Sequence, residues 1–142
     1  MAVKKAYGVF PVSTRILIVD DSPLVRKRLR DLLQQHRDWT VCGEACNGGD
    51  AVLKAQELSP DLIVLDFFMP GMDGLQAARQ MGKFVPDVPI LMFTMHLSRQ
   101  LVAEARNVGI RGAVSKSDAG HVIEGLESLL RNESYFGSAS DS

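Results

Sequence analysis

The feature that most restricts this chain is an alternation. Five short apolar runs occupy residues 15–20 (RILIVD), 39–45 (WTVCGEA), 61–66 (DLIVLD), 88–94 (VPILMFT) and 112–116 (GAVSK). Stretches of helical spacing follow them at 23–36, 47–58, 75–82, 98–108 and 119–131. Several of the runs show little polar alternation, so strands built from them need cover on both faces. The intervening helices are amphipathic and can supply it. In 23–36 the apolar stripe is Val25, Leu29, Leu32 and His36, with Arg26, Lys27 and Arg30 off it. In 119–131 the inward set is Val122, Ile123, Leu126, Leu129 and Leu130. Strands and helices alternating in this way predict a parallel sheet between two helical layers. Right-handed crossovers leave few arrangements. The expected one is a doubly wound α/β sheet of five parallel strands in the flavodoxin-like order 2-1-3-4-5.

The punctuation agrees. Ser22 can cap the first helix, and Pro23 suits its first turn, where no N–H is needed. Residues 67–74 (FFMPGMDG) read as a loop broken by Pro70, Gly71 and Gly74. The 142 residues suffice for one domain with one core. Its expected bounds are 14–131, with 1–13 as an N-terminal extension and 132–142 as a fraying tail or the start of a linker.

Composition narrows the function. A net charge of -1 gives no overall field for nucleic acid or an anionic membrane. No apolar run approaches the roughly 20 residues of a membrane span, and Lys4 and Lys5 precede no signal-like apolar core. A cytoplasmic protein with no membrane attachment is expected. Cys42 and Cys46 lie four apart on a strand, about 13 Å at strand rise. A disulfide needs Cα atoms within about 7 Å, so reduced thiols are expected. Two cysteines without a histidine at ligand spacing make a poor zinc site.

The strand ends carry the chemistry. In an open α/β sheet, ligands bind at the carboxyl ends of the strands, at the switch point of the topology. Strand one ends in Asp20-Asp21, strand three in Asp66, strand four in Thr94 and strand five in Lys116. In the expected order, strands one and three are neighbours at that point, so three carboxylates converge. Like charges at close range raise one another's pKa, and one capping acid would suffice structurally. A hard divalent cation explains the cluster better: Mg²⁺ takes carboxylates, waters and phosphate oxygens. One acid can ligate directly and its neighbour through water. An aspartate can also accept a phosphoryl group. Lys116 could then neutralise the phosphoryl oxygens, and Thr94 could donate a hydroxyl.

These residues resemble a response-regulator receiver domain, the phospho-accepting half of two-component signalling. The matching stretches are LIVDDSP, IVLDFFMPGMDG, LMFT and GAVSK, and the likeness covers 14–131. It implies that Asp66 accepts a phosphoryl group from a histidine kinase or phosphotransfer protein. It implies Mg²⁺ held by the side chains of Asp21 and Asp66 and the backbone carbonyl of Phe68, with Asp20 supporting the water shell. Thr94 and Lys116 would engage the phosphoryl group, and Phe68 and His96 would flank the path of attacking water and modulate hydrolysis. Such a chain is a signalling module rather than a metabolic enzyme. The SKSDAG stretch resembles receivers that precede a helix-turn-helix output domain. A DNA-binding domain outside this chain and a homodimer are therefore further candidate partners. Two positions depart from the family pattern: Ala113 stands where an aromatic is common, and Ser117 where proline often follows the lysine.

Two other functions are weaker on the same residues. A haloacid-dehalogenase-like phosphohydrolase places an acid two residues after its nucleophile, where this chain has Phe68. A degenerate receiver used only for protein contacts would not need the complete polar set. His36, His121 and the cluster Arg26-Lys27-Arg28-Arg30 read as solvated helix faces, the basic cluster also being a surface that could meet a kinase.

Overall fold

In the computed structural model, which describes residues 13–137, β1 (Thr14–Val19), β2 (Trp39–Ala45), β3 (Leu62–Leu65), β4 (Ile90–Thr94), β5 (Gly112–Ser115) and β6 (Tyr135–Phe136) form one parallel sheet of order β2-β1-β3-β4-β5-β6. Its helices are α1 (Pro23–Gln34), α2 (Gly48–Leu58), α3 (Gly74–Phe84), α4 (Arg99–Asn107) and α5 (His121–Leu130). The doubly wound order expected from the alternation is present. One strand was not expected: Tyr135 and Phe136 pair with Gly112 and Ala113. The segment 132–137 therefore does not all fray, because Tyr135 N–H donates to Arg111 O at 3.0 Å and Gly137 N–H to Ala113 O at 2.7 Å. Residues 1–12 and 138–142, the rest of the expected extension and tail, lie outside the described residues.

Strand alternation divides the core into two layers. Leu17, Val19, Ile63, Leu65, Met92 and Ala113 face α2, α3 and α4, through residues such as Ala51, Ala55, Met81 and Leu101. Ile16, Ile18, Leu62, Val64, Leu91 and Phe93 face α1 and α5, through Leu29, Leu33, Leu126 and Leu129. The central strands β1 and β3 are buried almost throughout, which explains their unbroken apolar sequences. Leu130, read as inward, is instead exposed.

Helix starts are fixed by side chains. Ser22 Oγ accepts from Val25 N–H at 3.3 Å, Asn47 caps α2, and Ser98 caps α4. Asp73 and Gln76 form a reciprocal capping box at α3. Gly74 is required there by closeness alone: a Cβ would lie 2.4 Å from the carbonyl oxygen of Asp66. The start of α3 is thereby pressed against the end of β3. His36 is not a solvated helix residue. It lies just beyond α1, stacked on Trp39 with ring centroids 3.8 Å apart. Among the described residues, no helix is long and apolar enough to cross a membrane.

Candidate phosphoryl-acceptor and metal site

Each polar residue picked from a strand end sits at the same edge of the sheet. Asp20 follows β1 and is 1% exposed; Asp66 follows β3 and is 3% exposed; Thr94 ends β4 and is fully buried. Lys116 opens a short 3₁₀ turn (Lys116–Asp118) immediately after β5. Asp21 is exposed beside the pair. One carboxylate oxygen from each of Asp20, Asp21 and Asp66 lies within 4.8 Å of the others. The convergence expected from the strand order is present.

Lys116 reaches across from β5. Its Nζ lies 2.8 Å from Asp20 Oδ2 and 3.2 Å from Asp66 Oδ2. Asp20 is held from other sides too: its N–H donates to Ala45 O at 3.0 Å, and its Oδ1 accepts from Ser22 N–H at 2.9 Å. Burial pushes the Asp66 carboxyl above the ordinary 3.8, and the charge of Asp20 adds to the rise; Lys116 and the Phe68 N–H oppose it without cancelling it. For Lys116, burial disfavours the ammonium, but the hydrogen bond to Asp20 and the charges of both acids outweigh it, so its pKa is raised above 10.5.

Two buried oxygens in this centre have no hydrogen-bond partner, Asp66 Oδ1 and Thr94 Oγ1. Buried polar atoms are usually satisfied. Two unsatisfied ones lie here, on the acceptor candidate and at the end of the adjacent strand. The donor set is all oxygen and carries excess negative charge, which suits a hard divalent cation.

Phe68 and His96 are both exposed, Phe68 to 55%. They share an open cleft of about 410 Å³ with Phe67, Ser98, Gln100, Leu101 and Glu104. The peptide after Lys116 is not cis, since no cis bond occurs among the described residues. Cys42 and Cys46 are free thiols.

Sequence reading missed part of the surroundings. Arg26, read as part of a solvated basic face, turns inward. Its Nε lies 2.9 Å from Glu44 Oε1, and its Nη1 donates to the backbone carbonyl of Asp20 at 2.7 Å. Arg30 pairs with the other Glu44 oxygen. The signal was faint: an acid near the end of an otherwise apolar β2 needs a cation, and Arg26 is one turn into the adjoining helix.

Three acids and a lysine gathered at the carboxyl edge of a parallel α/β sheet make a site suited to a divalent cation and a phosphoryl group. The family model for the response regulator receiver domain matches residues 16–134. The chain belongs to that family, and is a phospho-accepting receiver module of two-component signalling. The response regulator protein VraR of Staphylococcus saprophyticus is 35% identical over 123 residues, 86% of this chain and 59% of that protein. VraR of Staphylococcus aureus is 33% identical over 126 residues, 88% of this chain and 60% of that protein. The chain thus spans about three fifths of the length of these relatives. A two-component response regulator of the LuxR family from Aurantimonas sp. SI85-9A1 superposes with TM-score 0.84 at 32% identity, over 87% of this chain and 89% of that one. The response regulator domain of Thermotoga maritima CheB gives 0.76 at 29% identity, over 84% and 95%.

Proposed function

We propose that Asp66 is the phosphoryl acceptor, with Mg²⁺ bound by Asp21, Asp66 and the Phe68 carbonyl and supported by Asp20. The observation that carries this is the unpartnered Asp66 Oδ1, buried beside two further carboxylates, with an equally unpartnered Thr94 hydroxyl at the end of the neighbouring strand. Bound there, Mg²⁺ would neutralise charge on the phosphoryl oxygens during transfer. The chain's own groups do the rest. The Asp66 carboxylate attacks phosphorus, and the bond to the donor's leaving group breaks. Asp66 is held by the end of its strand, with Gly74 packed against its backbone carbonyl. Lys116 shifts from the carboxylates to the phosphoryl oxygens, and Thr94 Oγ donates to another of them. Phe68 and His96 border the route of the hydrolytic water.

The donor is a histidine kinase or a phosphotransfer protein, in keeping with the family. The relatives' greater length and the LuxR-family structure favour a DNA-binding output partner joined to this module, and a homodimer is compatible with it. The module is bounded near 14–137, six residues longer than the sequence pattern suggests, because β6 completes the sheet. A cytoplasmic location fits this role.

Incubation with acetyl phosphate and Mg²⁺, followed by intact-mass spectrometry, tests the assignment. One phosphoryl group is expected on the wild type. Labelling should vanish in Asp66→Asn, and with EDTA. Persistent labelling in either case overturns it.

A further inference from the structure

We infer that Arg26 is a positioning residue for the metal-binding loop, acting through the backbone of Asp20. The inference rests on the reading of Asp20, Asp21 and Asp66 as the cation site.

The Asp20–Asp21 peptide is the hinge between a buried acid and an exposed one. Its carbonyl accepts from Arg26 Nη1 at 2.7 Å. Rotating that peptide plane changes the direction in which Asp21 leaves the chain, while Asp20 stays tied to Ala45, Ser22 and Lys116. Asp21 itself is exposed, and no hydrogen bond or ion pair from its side chain is recorded among the described residues. Its orientation therefore depends on the peptide before it, and Arg26 fixes that peptide from the far side.

Arg26 is well placed to be rigid. Its Nε lies 2.9 Å from Glu44 Oε1, and both side chains are about four-fifths buried. Glu44 sits next to Ala45, whose carbonyl accepts from Asp20 N–H at 3.0 Å. The backbone of Asp20 is thus gripped at its N–H and at its carbonyl by adjacent residues of β2, once directly and once through Arg26. A guanidinium suits this task because its fork can serve a carboxylate and a carbonyl together. A lysine at position 26 has one nitrogen and cannot span both.

The test compares Mg²⁺ affinity with stability. Mg²⁺ titrations followed by amide chemical shifts at Asp21 and Asp66 are made on the wild type, Arg26→Met, Arg26→Lys and Asp21→Asn, with urea midpoints for each. Arg26→Lys, which keeps the ion pair with Glu44, guards against a loss of folding in Arg26→Met. Weakening of Mg²⁺ binding by about tenfold is expected in both Arg26 variants, as for other groups that orient metal ligands. In Arg26→Lys the urea midpoint should stay close to wild type. Half-saturating Mg²⁺ for acetyl phosphate labelling should rise by the same factor, with the rate recovering at saturation. Unchanged affinity in Arg26→Lys, or loss of stability without loss of affinity, overturns the inference. Asp21→Asn separates the two readings. If it too leaves affinity unchanged, the cation site itself is wrongly assigned; if it abolishes binding while Arg26→Lys does not weaken it, only the role of Arg26 falls.

Discussion

Lys116 Nζ stands 3.2 Å from the Asp66 carboxylate, and in the same position is 2.8 Å from Asp20. The cation that would meet a phosphoryl group is thus already engaged, holding together two acids that would otherwise repel. Engaging the phosphoryl group means exchanging one set of partners for another.

That pairing predicts a cost. Lys116→Met leaves two buried carboxylates facing each other without a cation. Removing one partner of a buried pair costs about 3–5 kcal/mol. Metal-free Lys116→Met should lose stability of that order at neutral pH, with Mg²⁺ restoring part of it. Urea unfolding with and without EDTA measures both. The lysine's own contribution is present below pH 10.5 and is lost only as pH rises through its raised pKa.

Asp66 predicts a dependence of opposite kind. Its folded pKa lies above its unfolded value, so the folded state holds the proton more tightly. Stability of the metal-free protein should therefore fall as pH rises from 3.8 through the raised value. Asp66→Asn removes this fall. Its advantage over wild type should be small near pH 4, grow toward neutrality and then level off. A mutant curve parallel to wild type across that range would show that Asp66 ionises without penalty.

Phe68 predicts phosphoryl lifetime. It borders the cleft shared with His96 and cannot orient a water by hydrogen bonding. Phe68→Asn supplies a donor and an acceptor on a smaller side chain. Loss of the aspartyl-phosphate should then be several-fold faster in a mass-spectrometric time course. An equal or slower rate would assign water orientation to His96 instead.

Phe136 predicts where the switch is felt. It pairs with Ala113, packs on the same core layer and carries the Arg106 guanidinium 4.0 Å above its ring. A small Ala113 has no ring to follow Thr94 inward. Comparison of free and beryllofluoride-bound forms should find the larger shifts at Phe136 and Arg106. Phe136→Ala should lose about 1–2 kcal/mol and mute the response of α4. A rearrangement centred on residue 113 would contradict this.

Much of the fold was legible because buried parallel strands advertise themselves. Val19-Asp20 and Leu65-Asp66 each pass from apolar to acidic in one step, at the edge where the strand leaves the core. Strand order then brought the acids together without any side-chain information. What escaped were features set by tertiary partners. Tyr135-Phe136, between Ser134 and Gly137, is too short for a period, and only the free edge of β5 makes it a strand. Arg26 looks solvated beside Lys27 and Arg28, and only Glu44, 18 residues on, turns it inward. His36 falls on the helical stripe by spacing, but α1 ends first, and Trp39 takes the ring.

The sixth strand gives the module a direction. Because β6 runs parallel to β5, the backbone at Gly137 is heading toward the sheet edge that bears Asp66 and Lys116, not away from it. The Gly137 N–H bond to the Ala113 carbonyl holds this end of β6 in the parallel ladder that runs on toward Lys116, so the last described backbone points to the phosphoryl edge of the sheet.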